Sequence, residues 1–215
     1  MSGPFAGAVS VLLGLLAGAV VNIAADRLPG APGEAACAGR RRARRAVVLA
    51  LCALGFAALR AGTRGWVQAS WLGLWGAFFL FVAVVDLEHR LVLNKGLAVA
   101  AALAVTGSLL RLPLAPHLAS CLVGGAIGLG GFLVLALAGR GALGAGDVKL
   151  AAVIGLATGY PLVLRALAAG IFLGGVAALC ALLAGLGRKA AIPYAPWLAL
   201  GAYAVMLQAA LTLPA

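Results

Sequence analysis

Apolar residues fill this chain in long unbroken runs, and the polar residues gather in the short stretches between them. A membrane helix needs about 20 consecutive apolar residues. By that ruler eight segments stand out, near 5–25, 46–61, 66–88, 95–112, 118–138, 147–160, 162–186 and 194–213, the second and sixth being short. A transmembrane β-barrel would instead show alternating segments of about 10 residues. The pattern therefore predicts an all-α fold, a polytopic membrane helical bundle of about eight transmembrane helices. The first run begins close to Met1 without a basic stretch before it, so it reads as a span rather than a cleaved signal peptide.

Composition agrees. The chain is 65% hydrophobic and 10% charged, whereas a soluble domain carries about 25% charged residues. So little charge cannot cover a water-facing surface, and the lipid bilayer is the partner that most of the surface must meet. Glycine is abundant, at 31 residues, which in lipid lets helix backbones approach closely where no hydrophobic effect drives them together. The net charge of +11 does not point to nucleic acid, because the basic residues cluster between apolar runs and there set topology and meet headgroups. Of the four cysteines, Cys52, Cys121 and Cys180 fall in apolar runs and read as small buried hydrophobes. Cys37 stands in a basic stretch with no second Cys or His beside it, so no metal site is expected there.

Residues 26–45 form the one sizeable hydrophilic connection, a short basic loop with Arg40, Arg41, Arg42, Arg44 and Arg45. The positive-inside rule puts it in the cytoplasm. Alternation then assigns twelve of the sixteen basic residues to cytoplasmic connections and leaves Arg60, Arg64, Arg111 and Arg165 on the opposite side. The N-terminus is expected outside. No repeat or low-complexity linker divides residues 1–215, so they read as a single membrane domain.

Only five acids are present: Asp26, Glu34, Asp86, Glu88 and Asp147. All fall at the cytoplasmic edge in this topology. Asp86 ends the run WLGLWGAFFLFVAVV and begins DLEHRLVLN, while Asp147 follows Gly144, Ala145 and Gly146 in GALGAGDVKL. An ionisable residue at membrane depth is costly, so it points first to function. Two neighbouring carboxylates can share one proton, so that the ionised partner activates water while the protonated one polarises a carbonyl. Gly144 and Gly146 would let the backbone turn tightly and an extended substrate come close.

A solvated helix end explains either aspartate alone equally well, and Asp147 also suits an N-cap. Glu88, two residues past Asp86, faces elsewhere on a helix and reads as a headgroup-level charge. His89 and Arg90 fall on the face of Asp86; Arg90 reads as snorkelling to phosphates, and His89 has no companion ligand. Lys149 points away from Asp147, toward headgroups or an acidic group on a substrate. His117, at the opposite side, reads as a helix cap.

At these residues the chain resembles the type IV prepilin peptidases, aspartic membrane proteases that share a GxGD motif. VVDLEHRLVLN is similar to their first aspartate motif and GAGDVKL to their second. GAVVNIAADRLP resembles their N-terminal segment, and IPYAPWLALGA a late Pro-aromatic segment. The four stretches stand in the family's order and cover nearly the whole chain. The resemblance implies a multi-pass enzyme of the cell inner membrane, with its active site at the cytoplasmic face. It would cut the short basic leader from a prepilin or pseudopilin substrate, with Asp86 and Asp147 as the catalytic pair and no cofactor.

Two departures stand out. Leu93 occupies the place of a family proline, which leaves the third helix free to run on past Asp86. The first loop lacks the paired CxxC motifs associated in the family with metal and with N-methylation, so cleavage without methylation and without zinc is expected. Three other readings compete. A small ion-coupled transporter would need acids near the bilayer midplane, and here all lie at one edge. Another GxGD-type intramembrane aspartic protease is compatible with GAGD alone, while the DLEHR and Pro-aromatic stretches favour the prepilin enzyme. A non-catalytic assembly factor is disfavoured because both aspartates are intact.

Overall fold

Eight helices and no strand make up the residues described by the computed structural model, which are 4–28, 37–63, 65–139, 143–185 and 193–212. In chain order they are α1 (Pro4–Asp26), α2 (Cys37–Gly62), α3 (Trp66–His89), α4 (Asn94–Leu109), α5 (Leu118–Ala138), α6 (Ala145–Thr158), α7 (Leu162–Leu183) and α8 (Ala195–Thr212). The helical membrane bundle is thus as the apolar runs predict, with one refinement. Among the described residues six helices are long and apolar enough to cross a membrane. At 1.5 Å per residue, α4 and α6 reach only about 24 and 21 Å, short of a hydrocarbon core of about 30 Å.

The arginine stretch is a correction. Residues 37–45 are not loop but the first turns of α2. Arg and Ala are among the strongest helix formers, so α2 continues beyond its apolar run. Glu34, Arg64, Arg140, Arg188 and Lys189 lie outside the described residues, as do the side chains of Cys37 and Arg40.

Sequential helices pair as α1 with α2, α5 with α6 and α7 with α8, while α3 crosses to pack on α8. Leu72 and Trp75 on α3, Leu150 and Ile154 on α6 and Leu198 on α8 form the solvent-free centre. Trp75 anchors an aromatic stack, with Phe79 at 5.6 Å and Trp71 at 5.9 Å between ring centroids. Two close approaches depend on glycine. Gly124 of α5 meets the backbone of α6 at Gly155, and a Cβ on Gly170 of α7 would lie 2.8 Å from the Leu198 Cα of α8. Outward positions such as Leu16, Leu54, Phe172 and Leu183 are apolar and exposed, as a lipid-facing surface requires. Cys52 and Cys121 are buried as expected, but Cys180 is exposed on this apolar surface of α7. His117 takes the N-cap position of α5 without a side-chain cap bond.

Candidate active site

Polar contacts gather the acids of the described residues at one end of the bundle. Asp26 closes α1 and meets Arg44 and Arg45 of α2, Arg44 reaches Glu88 near the end of α3, and Lys149 of α6 reaches Asn94 at the start of α4. The alternation of helices puts all these ends on the same side.

Asp86 lies in the last turn of α3 and is 6% exposed. The helix runs three residues further and stops at Arg90, whose left-handed backbone (φ 52°) caps it with an N–H donated to the Asp86 carbonyl. Residues 91–93 follow outside any helix, and Leu93 opens α4 at φ −72°. That value lies within the range proline would impose. The bend after Asp86 therefore forms without the proline, because Arg90 ends the helix and Leu93 adopts the required backbone unaided.

On its other side Asp86 meets the start of α8. The Ala195 backbone N–H donates to the Asp86 Oδ2 at 3.2 Å, in a buried contact between residues 109 apart in the chain. This N–H is one of the donors a helix leaves free in its first turn. The Pro-aromatic stretch was visible in the sequence, but a backbone donor has no side-chain signature to announce it.

Asp147 is held differently. It is not the N-cap: Gly144 is, and Asp147 is the third residue of α6. Its own N–H donates to the Gly144 carbonyl at 3.0 Å, and the Gly144 N–H lies within reach of its carboxylate. That is the geometry of a capping box, in which the third helical residue reaches back to the cap. Placing helix start at Ala145 rather than at Asp147 follows from the extended backbone of Gly144 (φ −71°, ψ 146°). The side chain is half-buried, and the negative charge of Asp86 acts on it.

The two aspartate segments also touch directly. A Cβ on Gly146 would lie 2.8 Å from the Val92 Cβ, so half-buried Gly146 packs closely on Val92. Gly144 and Lys149 are exposed, and the Lys149 Nζ donates to the Asn94 Oδ1 at 2.8 Å. Tyr194, just before α8, completes the surroundings: burial, and then the charge of Asp147, hold its phenol above the ordinary value. Arg90 is exposed and its charge acts on Asp86. Glu88 does not stand free among headgroups, since Arg44 donates to it at 2.9 Å. His89 is 3.9 Å from the same Glu88 oxygen. Among the described residues no three His, Cys, Asp or Glu side chains cluster as a metal site would need. An apolar cavity of about 430 Å³ lies among α2, α3 and α8, but no acid lines it.

The bundle brings two aspartate-bearing segments together where Val92, after Asp86, packs on Gly146, before Asp147, and paired carboxyls are the groups an aspartic peptidase uses. Residues 73–179, about half of the chain and including both aspartates, match the type IV leader peptidase family. The chain belongs to that family and is a peptidase. No curated protein and no solved structure matches it.

Proposed function

We propose that this peptidase removes short basic leaders from prepilins or pseudopilins at the cytoplasmic face of the inner membrane, with Asp86 and Asp147 as its catalytic pair. The observation that carries the reading is that the segment just after Asp86 packs against the start of α6 just before Asp147, with Val92 against Gly146, within the stretch that matches the leader peptidase family. In the reaction one ionised carboxylate takes a proton from water, and the resulting hydroxide adds to the carbonyl carbon of the scissile bond. The protonated partner gives its proton to the carbonyl oxygen. The tetrahedral diol then collapses: the leaving nitrogen takes the proton held by the first carboxyl as the C–N bond breaks, and a diol hydroxyl gives its proton to the second carboxylate as the C=O bond re-forms, which restores the pair with one proton.

The surroundings support this division of labour. The Ala195 N–H holds one oxygen of Asp86 and so fixes the direction of the other. Gly144 and Lys149, exposed beside Asp147, are the substrate-facing positions of α6, and Gly146 serves by letting Val92 close over the helix start. The basic face of α2 and the cytoplasmic bias of the charges support action from inside.

The test is leader cleavage of a prepilin-like substrate by the full chain in proteoliposomes. Asp86→Asn and Asp147→Asn should each abolish it in protein that remains folded. Near-normal cleavage by either variant sinks the reading.

A further inference from the structure

Arg44 belongs by sequence to the run of arginines expected to meet lipid headgroups, yet its side chain is only 10% exposed. Its guanidinium is shared between two acids from different helices. Nη1 donates to the Glu88 Oε2 at 2.9 Å, and Nη2 donates to the Asp26 Oδ1. Arg45 closes the other oxygen of Asp26 through Nη2 at 2.7 Å, and its carbonyl accepts from the Asn22 Nδ2 at 3.2 Å. Directly beneath lies a small apolar cluster of its own, with Val21 and Ala25 from α1, Val48 from α2, and Val84 and Val85 from α3. An isolated surface ion pair contributes little, but a network in which one largely shielded guanidinium bridges two carboxylates is the case where geometry matters.

Glu88 follows Asp86 by two residues, which is about 200° around a helix. The two side chains therefore leave α3 on opposite faces. Asp86 is gripped by the Ala195 N–H from α8, and Glu88 by Arg44 from α2. These opposed contacts fix the rotation of the last turn of α3.

We propose that Arg44 is a positioning residue for the reaction, which sets the direction of Asp86 by holding Glu88 from the far side of α3. The inference rests on the reading of Asp86 as a catalytic carboxyl. Arg44 touches no reacting atom. The charged groups that act on Asp86 or on which it acts are Arg90 at the end of α3 and Asp147 from α6, while Tyr194 before α8 stands by Asp147. Losing Arg44 leaves those groups in place, leaves Asp26 to Arg45 alone, and frees Glu88 to change the direction of the Asp86 carboxyl.

The experiment compares Arg44→Ala, Arg44→Lys, Glu88→Ala and the double alanine variant in proteoliposomes, with Asp86→Asn alongside. Because a misplacement of about 1 Å can cost about 10²-fold, Arg44→Ala and Glu88→Ala should each lower kcat about tenfold with KM nearly unchanged. The double variant should be no worse than the more damaged single one, since both act through one contact. Arg44→Lys should fall between, because an ammonium cannot fork to both acids. The pH–rate profile of the variants should shift as well, since the two carboxyls no longer face each other as before. A role limited to stability would lower the folded fraction but leave kcat per folded enzyme and the profile unchanged, and that result overturns the proposal. So do additive losses from Arg44→Ala and Glu88→Ala. If Arg44→Ala does not fold, Glu88→Ala and Arg44→Lys decide on the same readouts. Survival of activity in Asp86→Asn would instead remove the catalytic reading, whatever Arg44 does.

Discussion

Asp86 and Asp147 carry the same functional group but are held in opposite ways. Asp86 lies in the last turn of a 24-residue helix, is buried, and depends on a donor 109 residues away. Asp147 begins a 14-residue helix, is half-buried, and is held by Gly144 three residues before it. One site is built by tertiary packing and the other by a local turn. For the catalytic pair proposed above, repulsion between like charges is enough to keep one shared proton, and unequal surroundings would add a preference for which carboxyl holds it.

The largest effects should come from the carboxyls themselves. Asp86→Asn and Asp147→Asn should each reduce kcat by about 10³-fold or more, and the double variant should be little worse, as for groups that act as a unit. Single-turnover cleavage measures this. The wild-type rate should be bell-shaped in pH, with limbs that belong to the pair rather than to either residue. A loss at Asp147 alone would mean that Asp86 only ends a helix.

Next come the supports, where the comparison predicts different remedies. Ala195→Pro removes the donor to Asp86 at the first position of α8, where a helix tolerates proline. Losing a hydrogen bond to a charged group costs about 1.5–3 kcal/mol, so kcat should drop by about 10- to 100-fold. Ala195→Ser, which keeps the N–H and adds bulk, should stay near wild type; if it falls equally, packing rather than the donor is at fault. On the local side, Gly146→Val places its Cβ against Val92. A misplacement of about 1 Å in the start of α6 should cost up to about 10²-fold. Truncating Val92 to Gly in the same protein, which removes the Cβ that the new side chain meets, should recover part of the activity, and no recovery would mean that the clash lies elsewhere.

The same contrast explains what could be read in the sequence. Asp147, with its glycines three and one residue before it, was legible because its support is local. Asp86 was legible as a costly acid at the end of an apolar run, but its support was not, since neither the Ala195 N–H nor the burial of Arg44 has a periodic signal. The apolar runs gave the eight helices because length and composition are enough in lipid. They misjudged the start of α2, where helix propensity outlasts hydrophobicity, and they made Asp147 a cap when Gly144 is one. Both errors concern helix ends, which hydropathy alone does not mark.

The smallest expected effect concerns Lys149, where a latch and a substrate contact can be told apart. Its ammonium sits on Asn94 at 2.8 Å in an exposed pair joining α6 to α4. An exposed polar pair contributes about 0–1 kcal/mol, so a latch alone predicts similar, slight losses from Lys149→Met and Asn94→Ala. A contact with an acidic group on the substrate predicts something else. Lys149→Met should then raise KM about threefold with kcat held, as loss of uniform binding does. Asn94→Ala should leave both constants within about twofold, because the ammonium stays charged and is only released from one neighbour. Steady-state cleavage of one substrate by the three proteins separates the cases. Equal effects in the two variants would reduce Lys149 to a tie between helices and leave Gly144 as the substrate-facing position of α6.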